Sequence, residues 1–252
     1  MHIFPVSIKT KNSYMQDIKN KVVLITGGSK GIGYGVAESL LKKGCKVAIT
    51  SRKLSSAQEA AKNLTKDDSL ILAIESDVRS LESQRKAVEA VINKWGKLDV
   101  VVANAGVGHF ASIEELEEED WKQVIDTNLT GCFNSIKASV KALKETEGYY
   151  FTISSLAGTN FFAGGAAYNA SKFGLTGFTQ AVMLDLRQHG IKVSTIMPGS
   201  VATHFNGHVP NEKDAWKIQK EDIGKLVVDL LEMHPRTLPS KIEVRPSQPP
   251  QK

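Results

Sequence analysis

Apolar residues in this chain fall into short unbroken runs separated by longer stretches of helical periodicity. Val22-Val23-Leu24-Ile25 is one such run, and the amphipathic stretch from Val36 to Leu41 follows it across a glycine-rich turn. A run apolar at every position belongs to a strand buried on both faces, as in a parallel sheet covered by helices on each side. The same alternation places strands near 22-26, 46-50, 70-75, 98-103, 149-154, 191-196 and 241-245. Helices fill the gaps, near 32-43, 55-64, 80-95, 118-144, 166-188 and 220-232. The expected fold is therefore α/β, three-layer and doubly wound, with a seven-stranded parallel sheet. No linker-like change of composition divides residues 21-252, which read as one domain behind an N-terminal arm, 1-20. Ligands of such sheets bind outside the carboxyl ends of the strands, at the switch in strand order.

Two clusters of polar and glycine residues sit where that geometry would use them. The first strand runs into Thr26-Gly27-Gly28-Ser29-Lys30-Gly31-Ile32-Gly33. Strand, glycine turn and helix together aim backbone N–H groups at a pyrophosphate, with glycines where a side chain would block close approach. The spacing Gly27-xxx-Gly31-x-Gly33 is not GxGxxG, and no GK[ST] follows that would make an ATP or GTP loop. The second cluster is Tyr168-Asn169-Ala170-Ser171-Lys172, where a lysine four residues on places an ammonium over a phenol on one helical face. A free phenol has a pKa of about 10, and bringing it toward 7 takes roughly 4 kcal/mol. One unit charge ~4 Å away at an effective dielectric of ~20 supplies about that much.

With both clusters in place, the chain resembles the short-chain dehydrogenase/reductase family, in its compact branch of Rossmann folds. The resemblance runs from Lys21 to about Arg245, through motifs in family order: TGGSKGIG at 26 to 33, Asp77-Val78, Asn104-Ala105-Gly106, Asn128, Ser155, Tyr168 with Lys172, and Pro198-Gly199 with Thr203. Ser155 stands thirteen residues before Tyr168 and Asn128 forty before it, the family's separations for the remaining catalytic positions. The resemblance implies an NADP(H)-dependent enzyme passing a hydride to or from a ketone or aldehyde. In it Tyr168 exchanges the proton, Ser155 stabilises the carbonyl oxygen, and Lys172 lowers the phenol pKa and holds the nicotinamide ribose. Asn128 would hold a water that relays protons. Gly27, Ser29, Lys30, Gly31, Ile32 and Gly33 would receive the pyrophosphate. Asp77 and Val78 would frame the adenine, with Asn104, Ala105 and Gly106 against the cofactor and Pro198, Gly199, Val201 and Thr203 toward the carboxamide.

Cofactor choice is read after the second strand, where Thr50-Ser51-Arg52-Lys53 carries no acid to bind the two ribose hydroxyls of NAD. Arg52, with Lys30 opposite, suits a 2'-phosphate instead. Candidate substrate walls are Ser155, Leu156, Phe161, Phe162, Tyr168 and Phe205, with Val107, His109 and Asn160 beside them. The segment from Ser200 to Trp216 is short and polar for a lid, which suggests an open site accepting several carbonyl compounds. Two departures from the family stand out: Ala103 replaces the first amide of Asn-Asn-Ala-Gly, and the last strand meets Arg245-Pro246 rather than Gly-Gly. A 3-oxoacyl-[acyl-carrier-protein] reductase shares all these motifs, and a non-catalytic dinucleotide sensor would keep the fold. The full Asn128, Ser155, Tyr168, Lys172 set argues against the sensor.

Composition narrows the remaining choices. The charge of +5 and pI near 9.0 come from lysines and arginines spread along helices, without a DNA- or RNA-binding motif. The acidic run Glu114 to Asp120 suits a helix N-terminus. No apolar run reaches the ~18 residues a membrane span needs. Ile3, Phe4, Val6 and Ile8, broken by Pro5, are too few for a signal peptide. Cys45 and Cys132 lie far apart in apolar surroundings, as in the reducing cytoplasm, and neither cysteine nor histidine spacing indicates a metal site. A homodimer or homotetramer is expected through the helices near 118-144 and 166-188, whose outward faces would carry Phe133, Ile136, Val140, Phe178 and Met183.

Overall fold

A computed structural model describes residues 15–248. Seven strands, β1 (Val22–Ile25), β2 (Lys46–Ser51), β3 (Ile71–Glu75), β4 (Val100–Ala103), β5 (Tyr149–Ile153), β6 (Lys192–Pro198) and β7 (Lys241–Val244), form one sheet. Its order is β3-β2-β1-β4-β5-β6-β7 and every pairing is parallel. The expected seven-stranded doubly wound sheet is what the chain forms. Strand order reverses between β1 and β4, so a crevice opens there at the carboxyl ends.

Alternation along each strand divides the core in two. Val23 and Ile25 face a cluster that includes Val36 and Leu40 of α1 (Gly31–Lys42), Ala60 and Ala61 of α2 (Leu54–Leu64), and Val227 and Leu231 of α7 (Lys220–Glu232). Val22 and Leu24 face the other side, where Val88 and Val91 of α3 (Leu81–Trp95) pack with Ile136 and Leu143 of α5 (Gly131–Thr146) and Leu175 of α6 (Ala166–Leu186). Burial on both faces explains the unbroken apolar strands.

The helix expected over 118-144 is continuous but not uniform. α4 (Glu118–Ile125) passes into α5 through one π-helical turn, Asp126–Thr130, which contains Asn128. An extra residue in a helical turn rotates the side chains beyond it, and such turns often occur at functional sites. Of the five residues expected to face a partner, Phe133 is exposed, but Ile136 is buried and Val140, Phe178 and Met183 pack against the core. Period alone could not choose between two apolar stripes on one helix. Phe173 and Leu184 of α6 and Trp121 of α4 are the other large exposed apolar residues on these helices.

Residues 1–14 of the expected arm lie outside the described residues. From Gln16 the chain is docked: its N–H donates to Glu232 O at 2.7 Å, and Ile18 is buried in the first core cluster. Both cysteines are buried thiols. No helix among the described residues is long and apolar enough to cross a membrane.

α1 and α7 approach closely because each offers a glycine to the other. A Cβ on Gly35 would lie 2.5 Å from Lys220 O, and one on Gly224 2.5 Å from Gly35 O. Gly224→Ala should therefore lower stability by about 1–3 kcal/mol, through overpacking against backbone, although alanine is the better helix former by ~1 kcal/mol. Denaturant unfolding tests this, and an unchanged or raised midpoint would mean that α7 can move away at no cost.

Candidate active site

The glycine turn is fixed from behind by the segment that follows β4. Thr26 Oγ1 accepts hydrogen bonds from the N–H groups of Asn104 (3.0 Å) and Ala105 (3.1 Å), while Asn104 Nδ2 donates to Thr26 O (2.9 Å) and Gly27 O (3.1 Å). Asn104 makes these contacts without the amide that Ala103 replaces. Gly27 and Gly31 have positive φ, +65° and +58°, which an L side chain rarely adopts. Gly33 lies under the turn and does not line the cleft; a Cβ there would lie 2.5 Å from Asn104 Nδ2. Its part is packing, which lets α1 begin directly beneath the turn.

The first turn of α1 contains no acid, and its N-cap, Lys30, makes no side-chain cap bond. The first N–H groups of a helix have no intrahelical partner, so an uncapped N-terminus facing a cleft suits an anion. Ser29, Lys30, Gly31 and Ile32 all line a cleft of about 1740 Å³. Drug-sized pockets run to roughly 1,000 Å³, so this one has room for a dinucleotide and a second molecule. The open helix terminus and the glycine cradle fit a dinucleotide pyrophosphate.

Arg52 and Lys53 line the same cleft after β2, and neither Lys30 nor Arg52 forms a salt bridge among the described residues. Asp77, after β3, is occupied differently: Arg79 bonds its carboxylate at 2.7 and 3.1 Å, and this guanidinium holds the acid below its usual pKa. Asp77 and Val78 both line the cleft, as expected for an adenine wall. Sequence reading missed Ser56, Glu59 and Asn63 of α2, and Tyr34 of α1, which line this end too. Their one prior signal was the polar face of α2, which any solvated helix would show.

At the other end, Ser155 follows β5, and its Oγ accepts from Ala157 N–H at 3.1 Å. Tyr168 and Lys172 project from the first turns of α6. Lys172 is buried, its Nζ donates to Ile153 O at 3.0 Å, and it lies 5.7 Å from the centroid of the Tyr168 ring. Burial brings the lysine down to about 8. The phenol departs from expectation, because burial raises its pKa and outweighs the lowering by its hydrogen bond with Ser155. The ammonium stands over the ring face and is itself desolvated, which is why i,i+4 spacing alone overstated its effect on the hydroxyl.

Asn128 is held at every side-chain polar atom. Its Nδ2 donates to Val107 O (2.9 Å) and Ser171 Oγ (3.0 Å), and its Oδ1 accepts from Val107 N–H (2.9 Å). Ser171 Oγ in turn donates to Tyr168 O at 2.8 Å. With both amide hydrogens engaged, the side chain joins the segment after β4 to the start of α6. Gly106 permits this convergence: a Cβ there would lie 3.3 Å from Asn128 Oδ1 and 3.8 Å from Lys172 Nζ.

Among the expected substrate residues, Leu156, Phe162 and Phe205 line the cleft with Val107, His109 and Asn160. Phe161 does not. It is 86% exposed, whereas Phe162 beside it lines the cleft. Phe110 was missed; its ring packs 5.5 Å from that of Tyr168. The segment from Ser200 to Trp216 is also less open than expected, for Phe205 lies 5.7 Å from the Tyr168 ring and Val201 bridges to Ile218. Thr203 faces the glycine turn, 3.5 Å from where a Cβ on Gly31 would lie, and Pro198, Gly199 and Val201 line the cleft beside it. Arg245 and Pro246 close this side, a contribution from after β7 that no motif signalled.

Known proteins share this arrangement. The chain is 34% identical over 226 residues, 84% of its length and 86% of the relative's, to trans-4-hydroxycyclohexanecarboxylate dehydrogenase of Sinomonas cyclohexanicum. To the 3-oxoacyl-[acyl-carrier-protein] reductase FabG of Vibrio cholerae it is 31% identical over 211 residues, 83% and 85% of the two chains. An alcohol dehydrogenase from the archaeon Thermococcus sibiricus, solved with 5-hydroxy-NADP, superposes with a TM-score of 0.86 at 28% identity over 93% of this chain and all of that one. The family model for short chain dehydrogenase matches residues 21–214, and with its glycine turn and Ser155, Tyr168 and Lys172 gathered on one cleft the chain belongs to that family of oxidoreductases.

Proposed function

We propose that the chain is an NADP(H)-dependent carbonyl reductase/alcohol dehydrogenase acting on ketones or aldehydes. The observation that carries the reading is the convergence of Ser155, Tyr168 and Lys172 at one end of a cleft whose other end offers an uncapped helix terminus and the cations of Lys30 and Arg52. NADP(H), when bound, supplies or accepts the hydride. The Tyr168 hydroxyl gives its proton to the carbonyl oxygen in reduction and takes it back in oxidation. Ser155 donates to the same oxygen as negative charge develops there, an effect strengthened in a site with little water. Lys172, pinned by Ile153 O, holds positive charge beside the phenol while the proton moves. Asn128 keeps the N-terminal turn of α6 in register with the glycine-turn support.

The relative from Sinomonas is named for oxidation at a ring hydroxyl, which supports CH–OH/C=O chemistry. Two solved neighbours hold NADP or a modified NADP, which supports the cofactor. A 3-oxoacyl-[acyl-carrier-protein] reductase is the second reading, favoured by the FabG relative. A panel of carbonyl compounds that includes an acyl thioester, followed by NADPH absorbance, separates the two.

Homo-oligomerisation is part of the proposal, supported by the exposed Phe133 and Phe173 on α5 and α6 and Leu184 further along α6. Light scattering at micromolar concentration should give a dimer or tetramer, and a stable monomer would refute this.

Tyr168→Phe should abolish turnover and spare cofactor binding, since the ring keeps its packing and loses only the hydroxyl. A folded variant retaining more than a few per cent of the wild-type rate would remove Tyr168 from the role.

For the cofactor, a charge-assisted contact worth ~1.5–3 kcal/mol makes Arg52→Ala cost roughly 10- to 100-fold in NADPH affinity and leaves NADH nearly unchanged. Equal loss of both, measured by fluorescence titration, would mean that no 2'-phosphate is read at Arg52.

A further inference from the structure

Carbonyl reduction as proposed leaves the substrate's shape open, but the walls around Tyr168 are specific. Three phenylalanines from three loops gather there: Phe110 after β4, Phe162 after β5 and Phe205 after β6. Phe110 lies 5.5 Å from the Tyr168 ring, 5.7 Å from Phe162 and 6.4 Å from Phe205, while Phe205 lies 5.7 Å from Tyr168. The Phe110 contacts with Tyr168 and Phe162 are edge-to-face, the arrangement that the aromatic quadrupole favours. Gly108 makes the cluster possible, since a Cβ there would lie 2.7 Å from the Phe205 ring and 3.0 Å from that of Phe110.

These rings pack on one another and still remain uncovered. Phe110 is 44% exposed, Phe162 48% and Phe205 37%, all beside the half-buried phenol that carries the proton. Exposed rings brought together at a catalytic group are an unfilled apolar contact surface. Several of the charges nearby, in contrast, are already matched. Buried Asp214 binds both Lys217 Nζ and His208 Nε2 at 2.6 Å, and Arg245 binds Glu243 at 3.1 Å. Lys30 and Arg52 stand at the other end of the cleft, by β1 and β2.

From this we infer that the substrate is uncharged and carries a ring, aryl or alicyclic, directly beside its carbonyl or carbinol carbon. The inference rests on the proposed carbonyl chemistry. With the carbonyl oxygen between Ser155 and Tyr168, the ring lies against Phe162 and Phe205. In reduction the C=O π bond breaks as the carbon gains a hydride and the oxygen a proton from Tyr168; NADPH becomes NADP⁺ and the phenol recovers its proton from solvent. A carboxylate on the ring would lose its hydration against these apolar rings, and the one cation beside the phenol, Lys172, is already held by Ile153 O.

The test uses the full chain with NADPH and four ketones: acetophenone, cyclohexyl methyl ketone, octan-2-one and 4-acetylbenzoate. The first three have the same carbon count. Each aromatic pair beyond area burial is worth roughly 2- to 12-fold, so acetophenone should exceed octan-2-one by about 10-fold or more in kcat/KM, cyclohexyl methyl ketone should exceed it by less, and acetophenone should exceed 4-acetylbenzoate. Phe162→Leu and Phe205→Leu should each cut the ring-to-chain ratio several-fold. Binding is read separately, by saturation-transfer NMR on the NADPH-loaded Tyr168→Phe variant, where the ring ketones should again outcompete octan-2-one. Turnover without a ring preference, or a preference for the benzoate, overturns this inference and leaves the carbonyl reductase reading standing. Ring-selective binding with no wild-type turnover sinks that reading and keeps the recognition of a neutral ring. Absence of both overturns the two together.

Discussion

Everything functional in this molecule depends on the hydrogen-bonded junction between the ends of β1 and β4. These strands are neighbours in the sheet although two strands and three helices separate them in sequence, so the crevice at the switch point has no local support. Thr26 and Asn104 provide it, by four hydrogen bonds that fasten the glycine turn to the segment after β4. Asn128 continues the chain of contacts through Val107 to Ser171 and the start of α6. The glycine turn and the helix turn that carries Tyr168 are therefore joined by one connected polar network. Its members are largely desolvated, so loss of one partner leaves another unsatisfied at a cost of ~1–3 kcal/mol.

That connectivity explains which parts could be read from sequence. Unbroken apolar runs gave β1 and β4 because burial on both faces favours apolar residues there, whereas β7 at the sheet edge alternates exposed Lys241 and Glu243 with half-buried Ile242 and Val244. The glycine turn, Asn104, Ser155, Tyr168 and Lys172 were legible because each depends on a fixed place at a strand end or on a helix turn. Legibility failed where a tertiary partner decides orientation. Phe161 and Phe162 are chemically identical neighbours, and only packing against Phe110 sends the second one inward. Ile136 could equally have faced solvent until α3 covered it. The π turn around Asn128 was not read from the helical period, although four of its five residues, Asp126, Thr127, Asn128 and Thr130, are weak helix formers.

The two ends of the cleft solve opposite electrostatic problems. Around Lys30 and Arg52 the described residues give these exposed cations no salt bridge and the helix terminus no side-chain cap, which leaves both available to an anion. At the aromatic end Asp214 and Glu243 are paired with neighbouring cations, and apolar surface is left uncovered instead. Binding can be favourable at each end because a different unsatisfied quantity is relieved: charge at one, hydrophobic area at the other. A ligand that exchanged the two would gain neither.

The titration of the catalytic pair follows from the same burial. Desolvation raises the Tyr168 pKa and lowers that of Lys172 to about 8, so both are biased toward their neutral forms before any ligand binds. For reduction this bias is useful, because a phenol held above its ordinary value is fully protonated at neutral pH and can donate. What it makes expensive is the phenolate left behind. A lysine near 8 is still mostly cationic at pH 7 and stands 5.7 Å from the ring, so the charge needed to stabilise that phenolate is present when the proton leaves. Oxidation demands the reverse, a phenolate at the start, and would draw on the lysine's charge from the outset. In the proposed reaction the lysine would act in both directions through its effect on one ionised state of Tyr168, and its Nζ is held in the buried site by Ile153 O.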